Sequence, residues 1–457
     1  MCGVSRIDSR SIHDFECRRP KLLRGEFADP YTAAMSRNES FAGGSAGALP
    51  LKRLLRRCER LKKLSAFALV LLPLAFLIFT LVIPVSSLLF SSVTNPEVGE
   101  ILPTLSAEIQ MWRGDGLPPH SVVRALVADM VYAKSQRHIG RVAGRLNHEI
   151  PGYRSLVLTT ADRVSALVRA IGETELLTDE RLLGRLTALD SRWGEPKYWI
   201  RLRQSAPPYT MVYLLRTVDR KIDLRGEVIH VKENRRLFIT VFWRTVWICS
   251  WVTMICLLLG FPIAFLMASM PTRHSNIFLL FLLLPLWTSV LVKSLSWLVA
   301  LQNEGVLNNL GIMLGLWNEP FELARNRTGT YISMVHVLLP FMTFPLFSVM
   351  KGIDTYHMKA AATLGARPLM AFLKVYLPQT RPGVAGGVLL VFILSLGLYV
   401  PPALVGGPAD QMLSYMIAWG GTGGGLAAAL SVVLLGLVGL FLFVFQRVVG
   451  INNSFFR

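Results

Sequence analysis

The feature that most constrains this chain is a 26-residue run, Ser65–Phe90, without a single charge. As a helix it reaches about 39 Å, enough to cross a hydrocarbon core of roughly 30 Å with some tilt. A secretory leader is too short a match, because its apolar core runs only ~7–15 residues. Five more apolar spans follow: Phe242–Met267, Ile277–Leu301, Tyr331–Met350, Val384–Val405 and Leu426–Phe445. Together they hold two permanent charges, Arg244 and Lys293. Prolines inside the spans (Pro73, Pro84, Pro262, Pro285, Pro340, Pro345, Pro401 and Pro402) would break water-exposed helices. In a membrane bundle, neighbouring helices and waters satisfy the freed carbonyls. The expected fold is therefore an all-α membrane protein with six spanning helices.

Charge is scarce and unevenly placed. The chain is 52% hydrophobic and 17% charged, with a net charge of +19. Residues 1–64 hold 14 Lys/Arg against 7 Asp/Glu, residues 91–236 hold 22 against 17, and the last 221 residues hold 12 against 5. The last stretch is too apolar for a water-soluble domain, and the same numbers exclude disorder throughout. The basic excess flanks apolar runs instead of lining a folded basic face, which argues against a nucleic-acid partner. No cysteine falls in 91–236, so a disulfide framework there is excluded.

Orientation follows from the short loops. Residues 350–383 carry Lys351, Lys359, Arg367, Lys374 and Arg381 against Asp354 alone. The positive-inside rule places that loop and the basic cluster at 52–63 in the cytoplasm. Both termini are then cytoplasmic and residues 91–236 lie outside. The expected organisation is a disordered basic tail (1–64), a first membrane helix (65–90), an external, mainly helical insertion (91–236), and a five-helix membrane core (237–457) with a cytoplasmic loop at 351–383. In the insertion, Ser121–Asn147 and Thr160–Leu177 have helical apolar spacing, with Ser121 and Asp162 as candidate caps. Tyr209–Leu215 reads as a short strand or a helix. The insertion is either a cap that buttresses the helices or a docking surface for a soluble partner. Trp243, Trp247 and Trp251 recur at four-residue spacing, as an interfacial belt would.

Catalytic chemistry is missing from the pattern. There is no G-x-x-x-x-G-K-[ST] phosphate loop, no H-E-x-x-H, and no Cys/His set with zinc spacing. Gly43–Gly47 fits G-x-S-x-G, but nothing near it supplies the strand-to-helix elbow or the acid and base partners. His336 and His357 each stand alone and read as structural. The expectation is a non-catalytic chain without cofactor or metal.

The cytoplasmic loop reads as helix, turn, helix. Asp354 caps the first helix, Ala360–Ala362 favours it, and Gly365 stops it in the left-handed conformation. Pro368 suits the first turn of the next helix, and Pro378 is expected to end it. Three consecutive alanines leave little side-chain bulk, which permits close approach of another protein.

Lys359-Ala360-Ala361-Ala362-Thr363-Leu364-Gly365-Ala366, with Leu377-Pro378 starting twelve residues past the glycine, resembles the "EAA" loop of ABC importer permeases. Leu284–Trp297 (LPLWTSVLVKSLSW), Asn303–Asn308 (NEGVLN), Leu339–Met342 (LPFM), Leu396–Pro402 (LGLYVPP) and Gly406–Pro408 look like the spermidine/putrescine-type branch of that family. The likeness runs from about Phe242 to the C-terminus, plus the first span. Lys359 stands where the family usually has Glu, Thr363 where Asp is common, and Lys293 where the branch often has Arg. A negative anchor for the ATPase is thus replaced by a positive charge.

The resemblance implies a permease subunit of an ATP-driven importer in the inner membrane, translocating a small solute delivered by an external binding protein. It implies two ATP-binding cassette subunits as partners and a second permease chain, different in sequence. The ATPase-coupling residues would be Lys359, Ala360, Ala361, Gly365, Ala366 and Pro378. Candidates along the translocation pathway are Lys293, Trp297 and Tyr399. A polyamine is the first expectation for the cargo, with an amino-acid-derived or opine-like solute as alternative, since the spans hold no Asp or Glu to greet a polycation. A reading from another class is a membrane receptor sensing through residues 91–236. An ATP-independent channel or secondary transporter would need intramembrane acids that these spans do not contain.

Overall fold

The computed structural model describes residues 70–233, 236–354, 356–419 and 423–449. The expected basic tail, the G-x-S-x-G pattern at 43–47 and the last eight residues lie outside them. The chain divides into two units, Met1–Thr80 and Leu81–Arg457. In the first, the described residues 70–80 are helical, and the Thr80 hydroxyl donates to the Phe76 carbonyl at 2.7 Å.

Among the described residues the fold is all-α, with one two-stranded exception described below. Among the described residues, four helices are long and apolar enough to cross a membrane: Val70–Phe90, Phe238–Ser269, Arg327–Lys351 and Gly424–Val448. Two bent pairs bring the number to as many as six. Thr272–Trp287 and Val290–Ala300 meet at 96°, and Pro368–Gln379 and Arg381–Gly397 meet at 60°. The expected straight span Ile277–Leu301 is thus corrected to two helices. Its break falls after Pro285, where Ser289 turns out of the helix and caps the next one by accepting the Leu291 N–H at 3.3 Å. The expected span Val384–Val405 ends at Gly397, and Val400–Leu404, carrying Pro401 and Pro402, is a separate short helix.

Phe238–Ser269, Arg327–Lys351 and Arg381–Gly397 pack on one another through small residues. A Cβ on Gly260 would stand 3.0 Å from Met342 Cγ, and one on Gly387 would stand 2.6 Å from Met342 Sδ. With no water to expel, membrane helices associate through close packing of this kind. Pro378 does not end its helix, as the sequence suggests. A π-helical turn, Phe372–Tyr376, precedes it, and the helical path continues to Gln379. The Gln379 side chain donates to the Val375 carbonyl at 2.8 Å, one turn back along the same path.

Residues 98–206 form a second, water-type core around Trp193, Trp199, Tyr153, Leu126 and Met130. Tyr153 donates its hydroxyl to the Tyr198 carbonyl and Trp193 its indole N–H to Thr160, so buried polar tips are satisfied. The helix expected at Ser121–Asn147 is two, His120–Ser135 and Ile139–Asn147, separated at Arg137 with φ +60°. Neither Ser121 nor Asp162 is a cap: the first helix begins at His120, and Asp162 lies inside Tyr153–Ile171. Tyr209 forms an isolated bridge with Thr94, and Val212–Thr217 is helical. An antiparallel hairpin, Arg220–Ile222 with Val228–His230, then leads to the Phe238 helix.

Candidate functional site

The loop after Lys351 is built in two mechanically different halves. Asp354 Oδ1 accepts the Tyr356 N–H at 2.9 Å, opening the helix Tyr356–Thr363. The helix closes in a Schellman motif, in which Ala366 N–H reaches the Ala361 carbonyl and Gly365 N–H the Ala362 carbonyl, both at 3.0 Å. Gly365 takes φ +82°, which a β-carbon would disfavour. This first half is exposed: Lys359, Ala360, Ala362 and Gly365 face outward, and Leu364 is 87% exposed. The Lys359 ammonium lies 5.6 Å from the Tyr356 ring.

The second half is clamped. Phe372 meets Phe265 and Phe261 edge-on at 5.6 and 6.3 Å and stacks on Tyr376 at 5.5 Å, while Tyr376 meets Phe265 at 5.4 Å. The helix from Pro368 is therefore fixed to the end of the Phe238–Ser269 helix. Lys351 adds a hydrogen bond to the Met270 carbonyl at 3.3 Å. An exposed apolar knuckle on a rigid arm can transmit force from whatever binds it.

Two of the three pathway candidates, Lys293 and Trp297, lie on the helix that follows the 96° break. Lys293 is 7% exposed, and its ammonium donates to the Pro285 carbonyl at 2.9 Å, tying the two helices across the bend. One turn on, Trp297 donates its indole N–H to His336 Nδ1 at 3.1 Å, with the rings edge-to-face at 5.6 Å. Lys293 and Trp297 thus share one face of Val290–Ala300. Tyr399 stands at the entry of Val400–Leu404, a helix that packs against Val290–Ala300, and is half-buried. Its side chain forms no hydrogen bond or ring contact with Lys293, Trp297 or His336. Among the described residues, no group of three His, Cys, Asp or Glu side chains could hold a metal ion.

Residues 260–450 match the family model described as the binding-protein-dependent transport system inner membrane component. The spermidine/putrescine transport system permease protein of Haemophilus influenzae is 31% identical over 219 residues, covering 46% of this chain and 75% of that protein. Its counterpart in Escherichia coli is 31% identical over 210 residues, covering 44% and 74%. This chain belongs to the ABC importer permeases. It falls in their spermidine/putrescine-type branch, and is a multi-pass protein of the inner membrane. A molybdenum transport system permease from Azotobacter vinelandii is 29% identical over 163 residues, covering 36% and 70%. Among solved structures, a chain of a bacterial alginate ABC transporter in complex with an alginate-bound periplasmic protein matches at 15% identity and a TM-score of 0.38, covering 46% and 77%.

Sequence reading missed several polar contacts of this permease. His336, read as a lone structural histidine, is the hydrogen-bond partner of Trp297 from 39 residues away. The segment Gly407–Leu413 is pinned at three points: Arg327 Nε to Asp410 Oδ1 at 2.9 Å, Arg244 to the Gln411 carbonyl at 3.2 Å, and Leu413 N–H to Thr245 Oγ1 at 2.9 Å. Arg244 was visible as one of two charges in the spans, but its acceptor is 167 residues away and no local pattern marks it.

Proposed function

We propose that this permease is one of two unlike transmembrane subunits in an ATP-driven importer, with both termini cytoplasmic and the helical block outside. The exposed knuckle formed by Tyr356–Ala366 on its aromatic clamp carries this reading. Two ATP-binding cassette subunits bind there and close on ATP, and an external binding protein delivers the solute. The knuckle moves as a unit because its Schellman turn is closed by hydrogen bonds, and Phe372 and Tyr376 pass the motion to the Phe238–Ser269 helix. That helix packs on Arg327–Lys351 and Arg381–Gly397, so a rotation at the loop biases the whole core between two openings. Lys359, where relatives of this type carry Glu, contributes a cation, so the opposing ATPase surface is expected to carry a carboxylate.

Polyamine is the cargo that the 30–31% identity to spermidine/putrescine permeases favours. A specific observation supports the second reading, an amino-acid-derived or opine-like solute. Lys293 is buried with one carbonyl partner beside His336, and no acidic residue lies in the expected spans. A carboxylate-bearing solute would be attracted there and a polycation repelled. The permease is expected to co-purify with an ATPase. Reconstituted with it and the binding protein, it should accumulate labelled putrescine in proteoliposomes only with ATP. Purification as a chain without an ATPase would overturn the importer reading. ATP-dependent uptake competed by an opine and not by spermidine would replace the polyamine.

A further inference from the structure

Where the helical block meets the membrane helices, a cavity of about 680 Å³ is lined by Arg216, Lys221, Lys232 and His148 on one side and by Phe238 and Leu426 on the other. Its two carboxylates are already engaged. Glu149 pairs with Arg145 at 2.7 Å, and Asp219 accepts three backbone N–H groups at the start of the Phe238 helix. Arg216 donates to the His148 carbonyl and forms no ion pair, and among the described residues neither do Lys221 and Lys232. The Glu149 carboxylate also acts on Arg216, so of the three permanent cations that face this space Lys221 and Lys232 have no counter-charge engaged with them among the described residues. Clustered cations of this kind raise the local concentration of anions.

The position of the cavity narrows the class of anion. Phe238 is the first residue of one membrane-spanning helix, and Leu426 lies in the first turn of another. Further along the Phe238 helix, Trp243 and Trp247 are 63% and 55% exposed, as aromatic side chains at a membrane surface are. A ligand here meets basic side chains at the level of the helix ends and apolar side chains immediately beyond them. That is the amphipathic order of a phospholipid: phosphate outermost, glycerol and acyl chains next.

We propose that this cavity binds the phosphodiester headgroup of an anionic phospholipid, held by Lys221, Lys232 and Arg216 and seated against Phe238 and Leu426. The inference is independent of the transported cargo. Bound there, the lipid bridges the hairpin and two membrane helices, so it stabilises the junction between the block and the bilayer by mass action.

The test uses the full-length permease, with whatever partners co-purify, in detergent, and follows thermal unfolding on adding mixed micelles. Micelles containing phosphatidylglycerol should raise the midpoint by at least about 2 °C. Phosphatidylcholine micelles and millimolar inorganic phosphate should leave it unchanged. The double variant K221Q/K232Q alters two exposed side chains on and beside the hairpin. It should unfold at the unliganded wild-type midpoint and lose the shift. Native mass spectrometry should find phosphatidylglycerol retained on the wild type and depleted on the variant. An equal shift with phosphatidylcholine, an equal shift in the double variant, or retention unchanged by the substitutions would overturn the site. Stabilisation by inorganic phosphate as large as that by phosphatidylglycerol would overturn its assignment to a lipid.

Discussion

Asp219 Oδ2 accepts the backbone N–H of Ile239 at 2.9 Å, while its Oδ1 accepts those of Leu237 and Phe238 at 3.1 Å each. A carboxylate from outside the membrane helix thus satisfies three of the N–H groups that every helix leaves open at its start. It is 3% exposed, and its charge complements the positive end of the helix dipole. Asp219 stands at φ +53°, a conformation that Asp and Asn tolerate better than other residues with a side chain. D219A should cost about 2 kcal/mol, taking the side-chain acceptor from three N–H groups at the helix start and placing an ordinary side chain at positive φ. D219N keeps an acceptor oxygen and the tolerated conformation, so its thermal midpoint should fall between D219A and wild type. Equal midpoints for all three would remove the cap from the account.

Tyr213 is the second tie between the helical block and the membrane helices. It packs with Val241, Leu413 and Leu426, and Arg145 stacks on its ring at 5.0 Å. A Cβ on Gly425 would stand 2.2 Å from that ring, too close for any side chain unless the ring moves. G425A should therefore destabilise the protein, while G425A in a Y213A background should cost little more than Y213A alone. A double-mutant cycle on thermal midpoints measures this coupling. Additive losses would mean that the ring and the glycine do not share a boundary.

Hydrophobic runs, proline positions and loop charge made the membrane class legible in the sequence, because each depends on residues close in the chain. The stop at Gly365 and the cap at Asp354 were legible for the same reason. The 96° break was not, since apolar length carries no direction. What holds that bend is the Lys293 ammonium on the Pro285 carbonyl, and Ser289 was the local signal that reading by span passed over. Asp219 with Ile239, and Trp297 with His336, pair across 20 and 39 residues. No periodicity reports such pairs, because only the folded chain brings them together.

Acid should loosen the helical block through His148. Burial lowers its pKa below the usual histidine value, and the nearby Arg216 and Arg145 push it the same way, against Glu149 and Glu97. The folded form thus resists a proton that the unfolded chain accepts near pH 6.5. Above that value both states are neutral and the group is silent; as pH falls below it, the unfolded state binds more protons and stability drops. Asp129 acts oppositely at lower pH: burial raises its pKa, so the folded form takes up the proton first. The thermal midpoint, read by the fluorescence of buried Trp193 and Trp199, should fall between pH 7.5 and 5.5. H148Q should flatten that slope. A slope unchanged by H148Q would assign the acid sensitivity elsewhere.

Gly365 separates conformation from space in the exposed knuckle. A Cβ there would meet nothing within 4 Å, yet φ is +82°. Substitution is therefore resisted only by the backbone, at about 1–2 kcal/mol for an ordinary side chain and less for Asn. G365V should open the Schellman turn, release the Ala361 and Ala362 carbonyls and let the exposed half of the loop swing free of its clamped half. Membrane insertion is decided by the apolar helices, so protein levels in the membrane should stay near wild type. ATP-dependent uptake should fall about tenfold in G365V and remain within about twofold in G365N, since the ~1.4 kcal/mol that corresponds to a factor of ten lies within the expected strain. Equal uptake in both variants would mean that the turn does not transmit the ATPase motion. Equal loss in both would mean that bulk at the ATPase contact matters, and not the left-handed backbone.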